Sequence, residues 1–325
     1  MEQKGLQKKM KTVFMGSAEF GIPALEMLLA HHEVAAVVST PAKPKGRGLK
    51  LFDSPVTEFA KKHNISPIIT PDNLLDDEFI ETLKSLKADI FVVVAFRILP
   101  KIVYSIPQFG TVNIHAALLP RFRGAAPIHR AIEAGEKETG VTVFRIDEGI
   151  DTGEIIAQSS TPIGGTETTP ELYERLSRMG VETLQKVLDD LASGAANTFV
   201  QDSSAATKAP KLSREEGHIN WNLSAQSIFN KIRAFKPFPG TYTFLDDGKR
   251  LGIEWGMILS SKESGSGDNP ESLPGTIINV SKDHIDIQCG GGVLRVSKVK
   301  PEGRPVMDVS AFLLGNALNR GTILK

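Results

Sequence analysis

The run Ala88 to Phe96 reads ADIFVVVAF. It is almost continuously apolar and rich in β-branched residues, the pattern of a strand buried on both faces. Such a strand needs helices on either side of its sheet, which narrows the fold to the α/β class. The start of the chain agrees. Thr12 to Met15 is a short strand of the same kind ending at Gly16, Leu25 to Leu29 has helical spacing behind Pro23, and Val34 to Ser39 is the next strand. A strand, a glycine turn and a helix in that order open a nucleotide-type, Rossmann-like fold with a parallel-sheet core. Gly16 and Gly21 do not form G-x-G-x-x-G, so they read as a tight turn and not as a dinucleotide site.

Further helices are expected over Val56 to His63, Asp76 to Leu86, Ala125 to Ala134 and Thr169 to Leu191, with a short strand at Pro67 to Ile69. The segment 201–211, QDSSAATKAPK, is small, polar and proline-containing and reads as a linker. Residues 1–10 read as a disordered extension, 11–200 as the first domain and 212–325 as a second. The second has a helix over Ala225 to Ala234, a polar loop over Ser260 to Pro274, and short strands with turns, suggesting a small barrel. The 325 residues carry no formal net charge, but 208–325 hold 16 Lys and Arg against 12 Asp and Glu. That imbalance argues weakly for an anionic partner of the second domain. Cys289 is the lone cysteine, so an intrachain disulfide is impossible. No His/Cys/Asp cluster has metal-ligand spacing, so no metal is expected. No signal peptide is visible, and Ile90 to Phe96 is far too short to span a bilayer, so a soluble cytoplasmic protein without membrane association is expected.

The chemistry concentrates between Thr111 and Gly153. Asn113 and His115 lie two apart in a β-type run, which puts both side chains on one face. Leu118-Leu119-Pro120 follows and Pro120 stops the strand. A second alternation, Val141 to Ile146, leads into Asp147-Glu148-Gly149-Ile150-Asp151-Thr152-Gly153, a turn that carries a carboxylate. An amide, an imidazole and a carboxylate converging at strand ends suit acyl transfer. Taken singly, each has a plainer reading: an edge Asn, a satisfied core His, a turn Asp.

The combined pattern Asn-x-His-x-x-Leu-Leu-Pro with Asp-x-Gly-x-Asp-Thr-Gly, together with Arg121 to Ile128 (RFRGAAPI), resembles the catalytic core of the folate-dependent formyltransferases. Among them, those acting on methionyl-tRNA look closest, and the resemblance runs from about Lys11 to the C-terminus. It implies Asn113, His115 and Asp151 as catalytic residues and 10-formyltetrahydrofolate as formyl donor. It implies a folate pocket built from Ile98, Leu99, Pro100, Ala117, Leu118, Leu119 and Pro120. Ala117 stands where the family usually has Ser, which leaves a backbone contact there. Phe96 to Pro100 is one residue shorter than usual and lacks the family's Gly, which puts Arg97 at the pocket mouth. The C-terminal domain is implied to be OB-like and to bind methionyl-initiator tRNA, with the chain expected to be a monomer.

Pro41 to Lys50 (PAKPKGRGLK) has two prolines, two glycines and four bases, and reads as an exposed loop without regular structure. A basic loop is most often solvated surface. The resemblance implies that Lys43, Lys45, Arg47 and Lys50 grip the tRNA acceptor arm. Two other classes stay open: a formyltransferase for a small amine, such as glycinamide ribonucleotide or an amino sugar nucleotide, and a non-catalytic RNA-binding protein on an inherited enzyme fold.

Overall fold

The computed structural model describes residues 9–45, 50–259 and 272–325. In chain order the elements are β1 (Lys11–Gly16), α1 (Ile22–His31), β2 (Glu33–Val38), β3 (Lys43–Lys45), β4 (Lys50–Phe52), α2 (Pro55–Lys62), β5 (Ile68–Ile69), α3 (Asp77–Ser85), β6 (Ile90–Val94), α4 (Lys101–Tyr104), β7 (Thr111–His115), α5 (Pro127–Glu133), β8 (Glu138–Arg145), β9 (Ile155–Pro162) and α6 (Thr169–Ser193). After these come α7 (Ala225–Ala234), β10 (Tyr242–Phe244), β11 (Arg250–Leu259), β12 (Ile277–Val280), β13 (Ile285–Gln288), β14 (Val293–Pro301), β15 (Met307–Asp308) and α8 (Val309–Leu313).

The chain divides into two compact units. The first comprises Met1–Pro127, Glu138–Pro162 and Tyr173–Pro210; the second comprises Ile128–Lys137, Ile163–Leu172 and Lys211–Lys325. The second unit thus takes two pieces from within the stretch expected to form the first domain. Their polar anchors explain this. Arg130 forms ion pairs with Glu133 and Glu216, both at 2.7 Å, and Arg233 donates to the Gly164 and Glu167 carbonyls.

In the first unit one sheet runs β5-β2-β1-β6-β7-β8-β9. The first five strands are parallel, and β8 and β9 are antiparallel additions. All five residues of β6 are buried, as its unbroken apolar run requires. On one side, Phe79, Ile80 and Leu83 of α3 pack with Val13, Met15, Ala36, Val38 and Phe91. Helix starts follow the sequence signals: Ser54 caps α2 by accepting from the Thr57 amide, with Pro55 first in the helix, and Asp76 caps α3. Strand order changes direction between β1 and β6, so the crevice where α/β sheets bind ligands lies between the loops leaving the carboxyl ends of those two strands, and β7 lies beside β6.

Three expectations are corrected here. Met10 is buried and its amide donates to Nδ1 of His32, so ordered chain begins before residue 11. Lys43–Lys45 and Lys50–Phe52 are not irregular: as β3 and β4 they form an antiparallel ribbon that registers Lys43 with Phe52 and Lys45 with Lys50, and residues 46–49 of the expected loop lie outside the described residues. A proline is tolerated there because both strands of an isolated ribbon are edge strands. The segment 201–211 is no free tether, since Gln201 and Ala209 are buried and hydrogen-bonded within the first unit. Most of the polar loop Ser260 to Pro274 lies outside the described residues.

The second unit is an antiparallel half-barrel, β10-β11-β14-β13-β12, with β15 on β14. Ile228, Phe229 and Ile232 of α7 fill it against Leu251, Ile253, Ile285, Ile287, Leu294 and Val296. Its open side is spanned by the segment 322–325: Phe244 and Lys325 exchange both backbone hydrogen bonds, Leu324 donates to Gly275, and Ile277 donates to Thr322. Among the described residues no helix is long and apolar enough to cross a membrane.

Candidate active site

β7 lies between β6, which registers Val93 with Asn113, and β8, which registers Phe144 with Asn113 and Thr142 with His115. Asn113 and His115 therefore share one face near the carboxyl end of the sheet, as period two requires. His115 is buried and Asn113 is half-buried. The Asn113 carboxamide has no hydrogen-bond partner among the described residues, which leaves its NH2 free for a ligand.

His115 is held from both sides. Its Nε2 lies 2.8 Å from the Phe122 carbonyl, and its Nδ1 lies 3.5 Å from Oδ2 of Asp151. A carbonyl only accepts, so Nε2 carries the proton of the neutral ring and Nδ1 is the nitrogen open to exchange. A proton arriving on Nδ1 faces the carboxylate. The same Oδ2 accepts the Gly124 amide at 2.8 Å, which fixes the carboxylate's orientation. The structure thus brings together the three residues expected from the sequence.

Local backbone explains the motif letters. Asp147 accepts from the Gly149 amide at 3.0 Å and from the Thr152 hydroxyl at 2.6 Å, closing the turn that carries Asp151. A Cβ at Gly153 would lie 1.7 Å from the Arg145 carbonyl, so only glycine fits. Phe122 and Asp151, the two partners of His115, both have left-handed backbones, with φ of +60° and +55°. Such non-glycine residues concentrate where surrounding contacts hold them.

Further contacts come from 201–209. Gln201 is 6% exposed. Its amide donates to the carbonyls of Asp151 at 2.9 Å and Gly153 at 2.7 Å, and its oxygen accepts from Nε and a terminal nitrogen of Arg123 at 3.1 and 2.7 Å. The Phe122 amide donates to the Thr207 hydroxyl at 2.8 Å. Arg123 exchanges backbone hydrogen bonds with Thr207 and Ala209.

The expected folate segments leave the same sheet edge. Ile98 is 73% exposed while Leu99 beside it is buried. Arg97 does not project freely: it donates to the Pro71 and Asp72 carbonyls at 2.6 and 3.0 Å and lies over the Phe96 ring. Ala117 is fully buried. Its carbonyl accepts the Thr142 hydroxyl at 2.7 Å, the Leu118 carbonyl accepts the Arg121 amide, and the Leu119 carbonyl accepts Nε2 of Gln158 at 2.9 Å. The carbonyls of 117–119 are therefore engaged by protein, and half-buried Leu118 and Pro120 are the parts of the segment open to a ligand. An uncovered Ile98 and a half-covered Leu118 fit the apolar body of a folate.

Lys43 and Lys50 are exposed on the β3–β4 ribbon, and Arg47 lies outside the described residues. Among the described residues no group of three or more His, Cys, Asp or Glu could hold a metal ion. Cys289 is buried, and that burial pushes its thiol up to about 12, far from the behaviour of a nucleophile. Sequence reasoning missed Phe122, Gly124, Thr142, Gln158, Gln201 and Thr207. For Thr142 a signal existed: it is a polar residue on the inward beat of the Val141 to Ile146 alternation.

The formyl transferase family model matches residues 10–188, and the model of the formyl transferase C-terminal domain matches 211–317. The methionyl-tRNA formyltransferase of Citrifermentans bemidjiense is 41% identical over 317 residues, covering 97% of this chain and 96% of that protein. That of Geobacter sulfurreducens is 39% identical over 317 residues, with the same coverage of 97% and 96%. In fold, the chain is similar to WlaRD, a sugar 3N-formyl transferase solved with dTDP and 5-N-formyl-THF. There the TM-score is 0.64 at 20% identity, covering 92% of this chain and 100% of that one. It is also similar to HypX from Aquifex aeolicus in complex with tetrahydrofolic acid, with a TM-score of 0.63 at 17% identity. The match covers 97% of this chain, which spans about half of HypX, 51% of that chain.

Proposed function

The chain belongs to the formyl transferase family, and from that membership we propose that it transfers the formyl group of 10-formyltetrahydrofolate to the free amino group of methionyl-initiator tRNA. The observation that carries this reading is the Asn113–His115–Asp151 arrangement in a chain about 40% identical to methionyl-tRNA formyltransferases over nearly its whole length.

The folate supplies the formyl group as co-substrate; Ile98, Pro100, Leu118 and Pro120 contact it, with Leu99, Ala117 and Leu119 buried behind them. Attack by the amine on a formyl carbon puts negative charge on the formyl oxygen. The free NH2 of Asn113 is a neutral donor for that charge, and one such donor contributes roughly 2.7–4 kcal/mol to lowering the barrier. The attacking nitrogen must lose a proton and the leaving nitrogen must gain one. Nδ1 of His115 takes and returns that proton beside Oδ2 of Asp151, which stabilises the imidazolium while it exists. No covalent enzyme intermediate is required. Lys43, Lys45, Arg47 and Lys50 and the second unit hold the RNA, and the enzyme works in the cytoplasm as a monomer.

The test offers the purified chain 10-formyltetrahydrofolate with charged initiator tRNA, and separately with an amino sugar nucleotide. Formylation of the tRNA alone supports the reading. Formylation of the sugar alone would move the chain to the small-amine class that WlaRD represents.

A further inference from the structure

We propose that Gln201 and Thr207 are positioning residues for formyl transfer, Gln201 acting through Asp151 and Thr207 through Phe122 and His115. This rests on the function proposed above, and it gives the segment between the sheet and the second unit a part in the chemistry.

The geometry carries the inference. Among the described residues the His115 ring has two polar contacts, the Phe122 carbonyl on Nε2 and the Asp151 carboxylate on Nδ1. Both partners sit on left-handed backbones that side-chain-bearing residues adopt only under constraint. Beside the Asp147 contacts that close the turn and the Gly124 amide on the Asp151 carboxylate, both partners are held by 201–209. The Gln201 amide spends both of its donors on the Asp151 and Gly153 carbonyls, holding the turn from either side of Thr152. Its oxygen is saturated by two donors of Arg123, which lies next to Phe122 in the chain. The Thr207 hydroxyl accepts the Phe122 amide, so the residue whose carbonyl reads the His115 tautomer is fixed at its own nitrogen. Every hydrogen-bonding atom of the buried Gln201 side chain is thus committed to the two loops that contact His115. Position matters here on a fine scale, because a proton relay works only with its atoms in hydrogen-bond reach.

The experiment uses the full chain with Gln201→Met, which keeps the volume and removes the polar atoms. It also uses Thr207→Val, which removes the hydroxyl, and Thr207→Ser, which restores it. We expect Gln201→Met and Thr207→Val each to lower kcat about tenfold, with KM for the folate donor and the tRNA within about twofold of wild type. Thr207→Ser should regain most of the lost rate. Placed in an Asp151→Asn background, Gln201→Met should cost no more than about twofold further, since its route to the chemistry is already cut. Unchanged kcat with raised KM, fully multiplying losses in that pair, or a Thr207→Ser as slow as Thr207→Val would each overturn the proposal.

A second readout needs no substrate. Long-range 1H–15N spectra of histidine-labelled protein, with His115 assigned by its loss in His115→Asn, should show an Nε2–H ring in the wild type and a mixture of tautomers in Thr207→Val. If the wild-type chain fails to formylate methionyl-tRNA, the function proposed above falls, and this spectrum alone decides the positioning. A His115 ring unchanged in Gln201→Met and Thr207→Val alike overturns it. If Gln201→Met does not fold, the Thr207 pair decides.

Discussion

Nε2 of His115 is 2.8 Å from the carbonyl oxygen of Phe122, a residue seven places along the chain. The contact commits one ring nitrogen to the protein and leaves the other, Nδ1, beside Asp151. An imidazole so arranged exchanges protons at one nitrogen without turning.

Asn113→Ala, His115→Ala and Asp151→Ala should each lower kcat by about 100-fold or more. The melting temperature of Asn113→Ala should stay near wild type, because its carboxamide bonds nothing among the described residues; His115→Ala and Asp151→Ala should also melt lower, because they leave the Phe122 carbonyl and the Gly124 amide without those partners. Steady-state kinetics with thermal unfolding checks this; a variant with wild-type turnover would remove that residue from the mechanism.

Gly124→Ala should be costly in both stability and rate. Its φ is +127° and an added Cβ would lie 2.6 Å from the Ala209 carbonyl, a backbone atom with little room to give. Strain of this kind costs roughly 1–3 kcal/mol. Relief by backbone movement would also draw the Gly124 amide away from Oδ2 of Asp151. Stability to denaturant and kcat should therefore fall together, and a decline in only one of them would separate the glycine's packing role from its hydrogen bond.

Lys43→Ala, Lys50→Ala and Arg47→Ala should weaken use of the tRNA and flatten its salt dependence. Removal of one cation from a phosphate should reduce the log–log slope by about one unit. KM for the folate donor should not move. Kinetics across a salt series, read for both substrates, checks this; a slope equal to wild type in all three would leave these bases in solvent with no part in RNA binding.

Cys289 should resist thiol reagents in the folded protein at pH 8 and react once the chain is unfolded. Burial raises its thiol from the ordinary 9.0 to about 12. A raised folded-state value means the folded chain keeps its proton where the unfolded chain has lost it. Its influence on stability is therefore flat below pH about 9 and becomes increasingly unfavourable between there and about 12. Cys289→Ala should flatten that alkaline limb, as measured by denaturant unfolding at several pH values.

The strand of Asn113 and His115 was legible because period two and a stopping proline are local signals, and the Asp151 turn because its glycines are. Strand β6 announced itself by apolar content alone. Gln201 and Thr207 were not legible for a physical reason. A polar segment rich in small residues looks the same whether water or distant backbone satisfies it, and the partners of Gln201 lie 48 to 78 residues away. The β3–β4 ribbon was not legible because Lys43-Pro44-Lys45 carries no apolar alternation. The grouping of residues 128–137 with the second unit goes with the Arg130–Glu216 pair, which no local pattern encodes.

The closure of the half-barrel by 322–325 bears on how the protein emerges from the ribosome. Thr243 donates its hydroxyl to the Lys325 carbonyl across 82 residues of chain, and Phe244 pairs with the same residue through its backbone. Contacts of such sequence separation form late, because the intervening loop must close before they are rewarded. The parallel strands of the first unit are complete once His115 has been added, so its central sheet can assemble while translation continues. Ile219 donates to the Tyr242 carbonyl on the outer edge of β10, but Phe244 there and Ile277 of β12 gain their partners only when 321–325 emerges, and for that interval the nascent second unit has strand edges open to wrong partners.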